Sequence, residues 1–215
     1  MELLGQFVDI VLHLDKHLSV LVQQYGAWIY AILFTIIFCE TGLVVTPFLP
    51  GDSLLFVAGA LAALGQMDVH LLVALLMLAA FLGNAVNFRI GWYIGPKVFD
   101  NPDARFLKPE YLQRTHRFYE RHGGKTVVLS RFLPIIRTYA PFVAGISRMS
   151  PARFLAFNLL GAALWVGGLA YGGYFFGNLP VVRRNLSLII IALVVIPALP
   201  ALLEFFRAWR QRSRA

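Results

Sequence analysis

Most of this chain consists of long apolar stretches, and these limit the folds that it can adopt. They cover residues 27–49, 53–66, 70–95, 126–147, 154–177 and 186–206. Hydrophobic residues make up 59% of the 215 residues and charged residues only 14%, whereas soluble domains have about 25% charged residues. A soluble fold of this size has too little interior for so much apolar surface. The sequence therefore predicts an all-α, multi-pass membrane protein that forms one membrane domain over residues 1–215.

The basic residues indicate which segments face the cytoplasm. Seven lie in the long polar segment 97–125, and four lie in the C-terminal tail 207–215. Because cytoplasmic loops of membrane proteins are enriched in lysine and arginine, both segments are predicted to be cytoplasmic. Segments 70–95, 154–177 and 186–206 are then the predicted transmembrane helices. Topology and attraction to anionic lipid explain the net charge of +8 better than nucleic-acid binding does.

Residues 1–24 have a different pattern. Their apolar positions recur about every 3.6 residues, with Asp9, Asp15 and Lys16 on the opposite face. This spacing predicts an amphipathic helix that lies in the membrane interface. The alternative is a poorly inserted first transmembrane helix.

Segment 126–147 is predicted to enter and leave the membrane on the cytoplasmic side. If the tail is cytoplasmic and the two later segments each cross once, the loops on both sides of 126–147 are cytoplasmic. Pro134 and Pro141 should break a helix here. Arg131 and Arg137 are costly in hydrocarbon unless they face protein or water. A re-entrant helical hairpin accommodates both features.

Residues 27–66 are predicted to form a second re-entrant hairpin, which enters from the outside. Glu40 and Asp52 interrupt this otherwise apolar run. Between them lie residues that favour a helix break, namely Pro47, Pro50 and Gly51. The run is therefore expected to form two short helices rather than one spanning helix.

Three short motifs recur in the same order, which indicates an internal repeat. Phe-Leu-Pro occurs at 48–50 and 132–134, Phe-Val-Ala-Gly occurs at 56–59 and 142–145, and a glycine pair occurs at 91 and 95 and again at 173 and 177. Each copy would contain one hairpin and one transmembrane helix. Because this is a net single crossing, the second copy would be inverted relative to the first. Inverted repeats with broken helices that meet near mid-membrane are a transporter architecture.

The two predicted hairpins carry opposite charges. Arginine binds phosphate or carboxylate groups through its planar fork, so Arg131 and Arg137 are predicted to bind an anionic group. A carboxylate in a partly dry site can exchange protons, so Glu40 and Asp52 are predicted to gate the site and are candidates for coupling it to protons. The alternative is a permanent cluster of ion pairs that locks the hairpins together.

Three long motifs surround these residues: ETGLVVTPFLPGD at 40–52, FYERHGGK at 118–125 and RFLPIIRTYAPFVAG at 131–145. Together they resemble the DedA family of bacterial membrane proteins, and the resemblance covers essentially the whole chain. It implies two opposed re-entrant hairpins in the bacterial inner membrane. It also implies movement of lipid between leaflets, above all return of undecaprenyl phosphate to the cytoplasmic leaflet, or of phosphatidylethanolamine in some relatives. The essential family positions match Glu40, Asp52, Arg131 and Arg137.

The chain departs from this family pattern on the segment 70–95. Asn84 stands where relatives usually carry an aspartate, and Trp92 stands where they carry an arginine. Asn84 cannot titrate and Trp92 cannot bind an anion. Arg89 lies nearby on the same predicted helix and is a candidate to replace the lost cation; the alternative is that its side chain extends to the cytoplasmic interface.

Other functions remain open from sequence alone. An ion or small-solute transporter would use the same opposed hairpins, and a non-transporting scaffold would keep the charges only as a lock. No nucleophile–base pair or metal-ligand cluster is evident, so the sequence predicts no enzyme, metal site or cofactor. The expected partners are membrane phospholipids and undecaprenyl phosphate, together with protons. A homo-oligomer is compatible with the sequence.

Overall fold

The computed structural model describes residues 14–43, 51–99, 123–133, 136–177, 179, 180 and 182, and every regular element in these residues is helical. The helices are α1 (Leu14–Tyr25), α2 (Trp28–Gly42), α3 (Gly51–Ala63), α4 (Val69–Phe99), α5 (Ile136–Ile146) and α6 (Pro151–Phe176). Residues 123–130 form a further helical segment. The predicted all-α class is confirmed for this part of the chain.

Two helices are long and apolar enough to cross a membrane. They cover Val69–Gly95, with mean hydropathy 2.2, and Pro151–Phe176, with mean hydropathy 1.6. At about 1.5 Å per residue each is longer than the ~30 Å hydrocarbon core. Both agree closely with the predicted spans 70–95 and 154–177. By contrast, α2 has 15 residues and α3 has 13, which is too short for either helix to cross alone.

Several predictions concern residues outside the described ranges. They are the first part of the amphipathic segment (1–13), most of the polar segment 97–125, the last predicted helix 186–206, the tail 207–215, and Pro47, Pro50 and Pro134. These remain predictions from sequence.

The chain divides into two compact units. The terminal unit comprises Met1–Ile29, Pro50–Val69 and Leu169–Ala215, and the central unit comprises Tyr30–Leu49 and His70–Gly168.

In the terminal unit, α1 packs against α3. Leu18 and Val22, one turn apart, are buried, whereas Gln23 and Gln24 are exposed. This agrees with a helix that has one apolar face. The helix ends at Tyr25, and the next residue, Gly26, has a φ of +53°, a left-handed conformation that glycine adopts without steric cost.

Glycines also bring α3 close to the C-terminal part of α6 in the terminal unit. A Cβ atom on Gly59 would collide with the backbone carbonyl of Ala170, and one on Gly173 would collide with the carbonyl of Phe56. Both helices therefore approach each other at backbone contact distance, as small residues allow in membrane proteins.

The same kind of contact joins α4 and α5 in the central unit. A Cβ atom on Gly145 would collide with the carbonyl of Phe88, and one on Gly91 would collide with the carbonyl of Phe142. Beside this contact Phe88 stacks on Phe154 with ring centroids 4.1 Å apart. These two rings belong to a buried core with Val127, Ala144 and Met149.

Pro141 does not break a helix, contrary to the prediction. Helix α5 runs from Ile136 to Ile146 and contains Pro141 in its interior. The chain is broken earlier, at the turn 131–133 that follows the helical residues 123–130. Proline removes one hydrogen bond and tends to kink a helix, but packing of buried α5 residues on both sides of Pro141 holds the helical course.

Candidate functional site

Helices α2 and α5 bring a carboxylate and a guanidinium together in the central unit. Glu40 lies near the C-terminal end of α2 and is fully buried, and Arg137 lies in the first turn of α5 and is 7% exposed. Nη2 of Arg137 donates a hydrogen bond to Oε1 of Glu40, and the two side chains form an ion pair. A cation is unfavourable at a helix N-terminus, so the nearby carboxylate provides compensating charge. Two of the four charged residues that the sequence singles out are therefore in contact.

Arg131 lies in the same central unit but has different partners. It follows the helical residues 123–130, and it is only 3% exposed. Its Nη2 donates to Oδ1 of Asn158 at 2.5 Å and to the carbonyl oxygen of Ala80 at 3.3 Å. Both acceptors are neutral.

Two asparagines form a cradle around Arg131. Nδ2 of Asn158 on α6 donates to the carbonyl of Phe81 at 3.0 Å, which fixes its oxygen towards the guanidinium. The Asn84 amide lies between Arg131 and the carbonyl of Thr41. With its oxygen towards the arginine, it accepts from Nη2 at 2.9 Å and its nitrogen donates to Thr41 at 3.2 Å. This amide orientation is assigned from the hydrogen bonds.

One indole contacts both arginines. Trp165 on α6 is 3% exposed. The Cζ atom of Arg137 lies 5.4 Å from the ring centroid of Trp165, and the Cζ atom of Arg131 lies 5.9 Å from it. Both distances are within the range of cation–π attraction, which is strongest where water is excluded. Trp165 therefore stabilises two like charges that would otherwise repel each other.

A small cavity separates these side chains. It is lined by Thr41, Asn84, Arg131, Arg137, Thr138 and Trp165. The space open to the centre of a water molecule is about 10 Å³, which is room for about one water. A phosphate group is larger than this, so the observed conformation is closed to it.

Three other predicted site residues lie in α3 and α4. Asp52 is in the first turn of α3, in the terminal unit, and is half-buried. A carboxylate there interacts favourably with the helix dipole, and its predicted gating role remains a prediction. Gly51 is the first residue of α3. Arg89 is exposed, and its Nη2 donates to the hydroxyl of Tyr93 at 3.4 Å, so it does not join the cavity.

Trp92 meets a cation that does not come from its own helix. The Cζ atom of Arg148 lies 4.6 Å from the ring centroid of Trp92. Arg148 follows α5 with a φ of +56°, a left-handed conformation that costs a non-glycine residue of the order of 1 kcal/mol. Stacking on the indole offsets this cost. The pair lies outside the cavity lining.

Comparison with known proteins now identifies the family. The VTT domain matches residues 49–175 of this chain. The chain is 54% identical to Protein DedA of Escherichia coli (strain K12) over 217 residues, which cover 100% of this chain and 99% of the relative. The chain belongs to the VTT-domain, or DedA, family.

Two further relatives are named as membrane proteins. One is Inner membrane protein YqjA of Escherichia coli (strain K12), 34% identical over 92% of this chain and 89% of its own length. The other is an uncharacterized membrane protein of Mycobacterium leprae, 44% identical over 83% of this chain and 80% of its own length. No solved structure matches the chain. Together with the two long apolar helices, these relatives show that this DedA-family chain is a membrane protein.

The sequence did not identify three uncharged residues that lie beside the arginines of this DedA-family site, namely Asn158, Trp165 and Asn87. In the sequence, Asn158 and Trp165 look like ordinary helix-packing residues, yet both contact Arg131. Asn87 received no role, although it is fully buried and hydrogen-bonds next to the ion pair. One signal was available for the asparagines. An amide in an apolar helix is costly in lipid, so it is expected to face protein.

Proposed function

We propose that this DedA-family protein moves the head group of an anionic lipid between the leaflets of the bacterial inner membrane, with undecaprenyl phosphate as the first candidate substrate. The observation that carries the proposal is the burial of Arg131 and Arg137 around one cavity. Among the described residues, Glu40 is the only buried carboxylate, so the buried charged side chains carry a net positive charge. Phosphate is the kind of group that two guanidiniums bind well.

Binding requires the site to open. Because the cavity has room for about one water, a phosphate can enter only if the surrounding side chains move apart. Its oxygens would replace Glu40 as the acceptor for Arg137 and would also accept hydrogen bonds from Arg131. The apolar tail of the lipid would stay in the hydrocarbon, so the protein need shield only the head group.

The ion pair provides a means of gating. Arg137 is attracted to Glu40 as long as the carboxylate is ionised. Protonation of Glu40 would weaken that attraction and release the guanidinium to an incoming anion. A proton gradient would drive lipid movement in this way, with Asp52 as the second predicted acid.

The proposed architecture consists of two inverted repeats, each with a re-entrant hairpin and a transmembrane helix. Matching contacts support it. Gly91 meets the carbonyl of Phe142 in the central unit, and its repeat counterpart Gly173 meets the carbonyl of Phe56 in the terminal unit. Residues 142 and 56 are themselves counterparts in the recurring Phe-Val-Ala-Gly motif. The same packing of a glycine against a backbone carbonyl therefore occurs at equivalent positions of the two proposed repeats.

The proposed topology is multi-pass with a cytoplasmic C-terminus. It rests on the basic residues of 97–125 and 207–215. The name of the relative YqjA as an inner membrane protein supports the same membrane for this chain.

A leaflet-sidedness assay tests the proposal. The full chain is reconstituted into vesicles with labelled undecaprenyl phosphate, or with labelled phosphatidylethanolamine, with and without a pH gradient. We expect faster movement of undecaprenyl phosphate that is lost in Arg131→Gln and in Arg137→Gln. Arg153→Gln is the matched control, because Arg153 is exposed on α6 and should leave lipid movement unchanged.

Three outcomes would contradict the proposal. Undiminished lipid movement in folded Arg131→Gln and Arg137→Gln would exclude the two arginines as the lipid site. Flux of a small solute without lipid movement would favour a solute transporter. Absence of any flux from correctly inserted protein would favour a scaffold in which the Glu40–Arg137 pair acts only as a lock.

A further inference from the structure

The two arginines of the cavity differ in how their charges are compensated. Arg137 faces the carboxylate of Glu40. Arg131 is equally buried, yet its hydrogen-bond acceptors among the described residues are the neutral oxygens of Asn158, Ala80 and Asn84. Its Nε atom is buried and has no hydrogen-bond partner within the described part of the chain.

The lack of a counter-ion for Arg131 is energetically costly, so we expect it to serve a function. A buried guanidinium without a counter-ion is much less favourable than one that is paired. Asparagine and aspartate have nearly the same shape, so an acid at position 84 or 158 would supply a counter-ion with little change in packing. Both positions carry the neutral amide instead, and at position 84, where the family resemblance predicts an aspartate, the missing acid is particular to this chain.

We infer that Arg131 is the standing anion receptor of the cavity, and that Asn84 and Asn158 are specificity-determining residues that hold it in place without neutralising it. An incoming phosphate head group contacts Arg131 first, because none of the described carboxylates is paired with it and has to leave. Arg137 joins only when it separates from Glu40. This order of binding rests on the proposed function, which identifies the anion as a lipid phosphate.

Binding to the detergent-solubilised full chain tests this inference. The probes are farnesyl phosphate, which has a lipid tail, and inorganic phosphate. Asn158→Asp is compared with Asn158→Ser, since both lose the hydrogen bond to Phe81 and only the first adds a charge. Asn84→Asp and Asn84→Ser form a second pair in case one position does not tolerate replacement.

We expect each aspartate variant to melt at a higher temperature than its serine partner and to bind farnesyl phosphate at least about tenfold more weakly. If Asn84 and Asn158 had only a structural role, the more stable variant of each pair would bind farnesyl phosphate more tightly. Farnesyl phosphate should bind the wild type at least about tenfold more tightly than inorganic phosphate, because its tail buries apolar surface. Equal binding of the two probes would overturn the assignment to a lipid phosphate.

The inference is overturned if the wild type binds neither probe, or if both aspartate variants bind as tightly as their serine partners. It is also overturned if both aspartate variants are less stable than the serine variants, because Arg131 would then not lack a counter-ion. Failure of the proposed function has a different signature. In that case the aspartate variants lose phosphate binding as expected, but the wild type moves no lipid in vesicles.

Discussion

Nδ2 of Asn87 donates a hydrogen bond to the carbonyl oxygen of Thr138 at 2.8 Å, and this bond joins the middle of α4 to the first turn of α5. The same nitrogen lies 3.4 Å from the carbonyl of Thr41. Thr138 directly follows Arg137, and Thr41 directly follows Glu40. One amide therefore braces the backbone beside both members of the ion pair.

Asn87→Ala should lower the free energy of unfolding by about 1–3 kcal/mol, because two buried carbonyls lose a donor. Thermal unfolding in detergent measures this change. Thr35→Ala is the control, since the Thr35 hydroxyl is exposed and bonds to the Ala31 carbonyl of its own helix, and its melting temperature should barely change. Equal melting temperatures for both variants would show that the brace contributes nothing.

Glu40→Gln should be much more damaging than the removal of both charges. The single variant leaves the buried Arg137 without the Glu40 carboxylate, and breaking a buried pair in this way costs about 3–5 kcal/mol. The double variant Glu40→Gln/Arg137→Gln should recover most of this stability and still fail to move lipid. A double-mutant cycle of unfolding free energies measures the coupling. A coupling energy near zero would argue against both the gate and the lock.

The charged half of the site could be predicted from the sequence, because an ionised group inside an apolar stretch must have a partner. That reasoning singled out Glu40, Arg131 and Arg137, which are all buried in the central unit, whereas the role that it gave to Asp52 remains a prediction. The uncharged residues that contact the arginines could not be predicted in this way. Asparagine and tryptophan also occur at ordinary helix contacts, and only the fold shows that Asn158 and Trp165 contact an arginine.

The helices that are long enough to cross a membrane could also be predicted from the sequence, because length and hydropathy define them with little influence from the rest of the chain. The continuation of α5 through Pro141 could not be predicted in this way. Local propensity favours a break at proline, whereas the packing of α5 on α4 at Gly91 and Gly145 keeps the helix intact. The recurring glycines are the only feature of the sequence that indicates this packing between helices.

Gly91→Ala should lower the free energy of unfolding by about 1–3 kcal/mol, because its Cβ meets the backbone carbonyl of Phe142 and backbone atoms cannot move aside cheaply. Gly173→Ala should have a similar effect through Phe56. Gly168→Ala is the control, since Gly168 is exposed and has open space around it. Thermal melts of the three variants measure the differences. If all three melted alike, close glycine packing would not be what holds these helices together.

Trp165 should report the opening of the site. Both guanidiniums lie within 6 Å of its ring centroid, so a phosphate that draws them away must change the surroundings of the indole. In a variant that keeps Trp165 and replaces Trp28, Trp92 and Trp209 by phenylalanine, farnesyl phosphate should shift the emission spectrum. The shift should saturate at the concentrations that saturate binding measured by calorimetry, and Arg131→Gln in the same background should abolish it. Calorimetric binding without any change in emission would mean that the anion binds away from the two arginines.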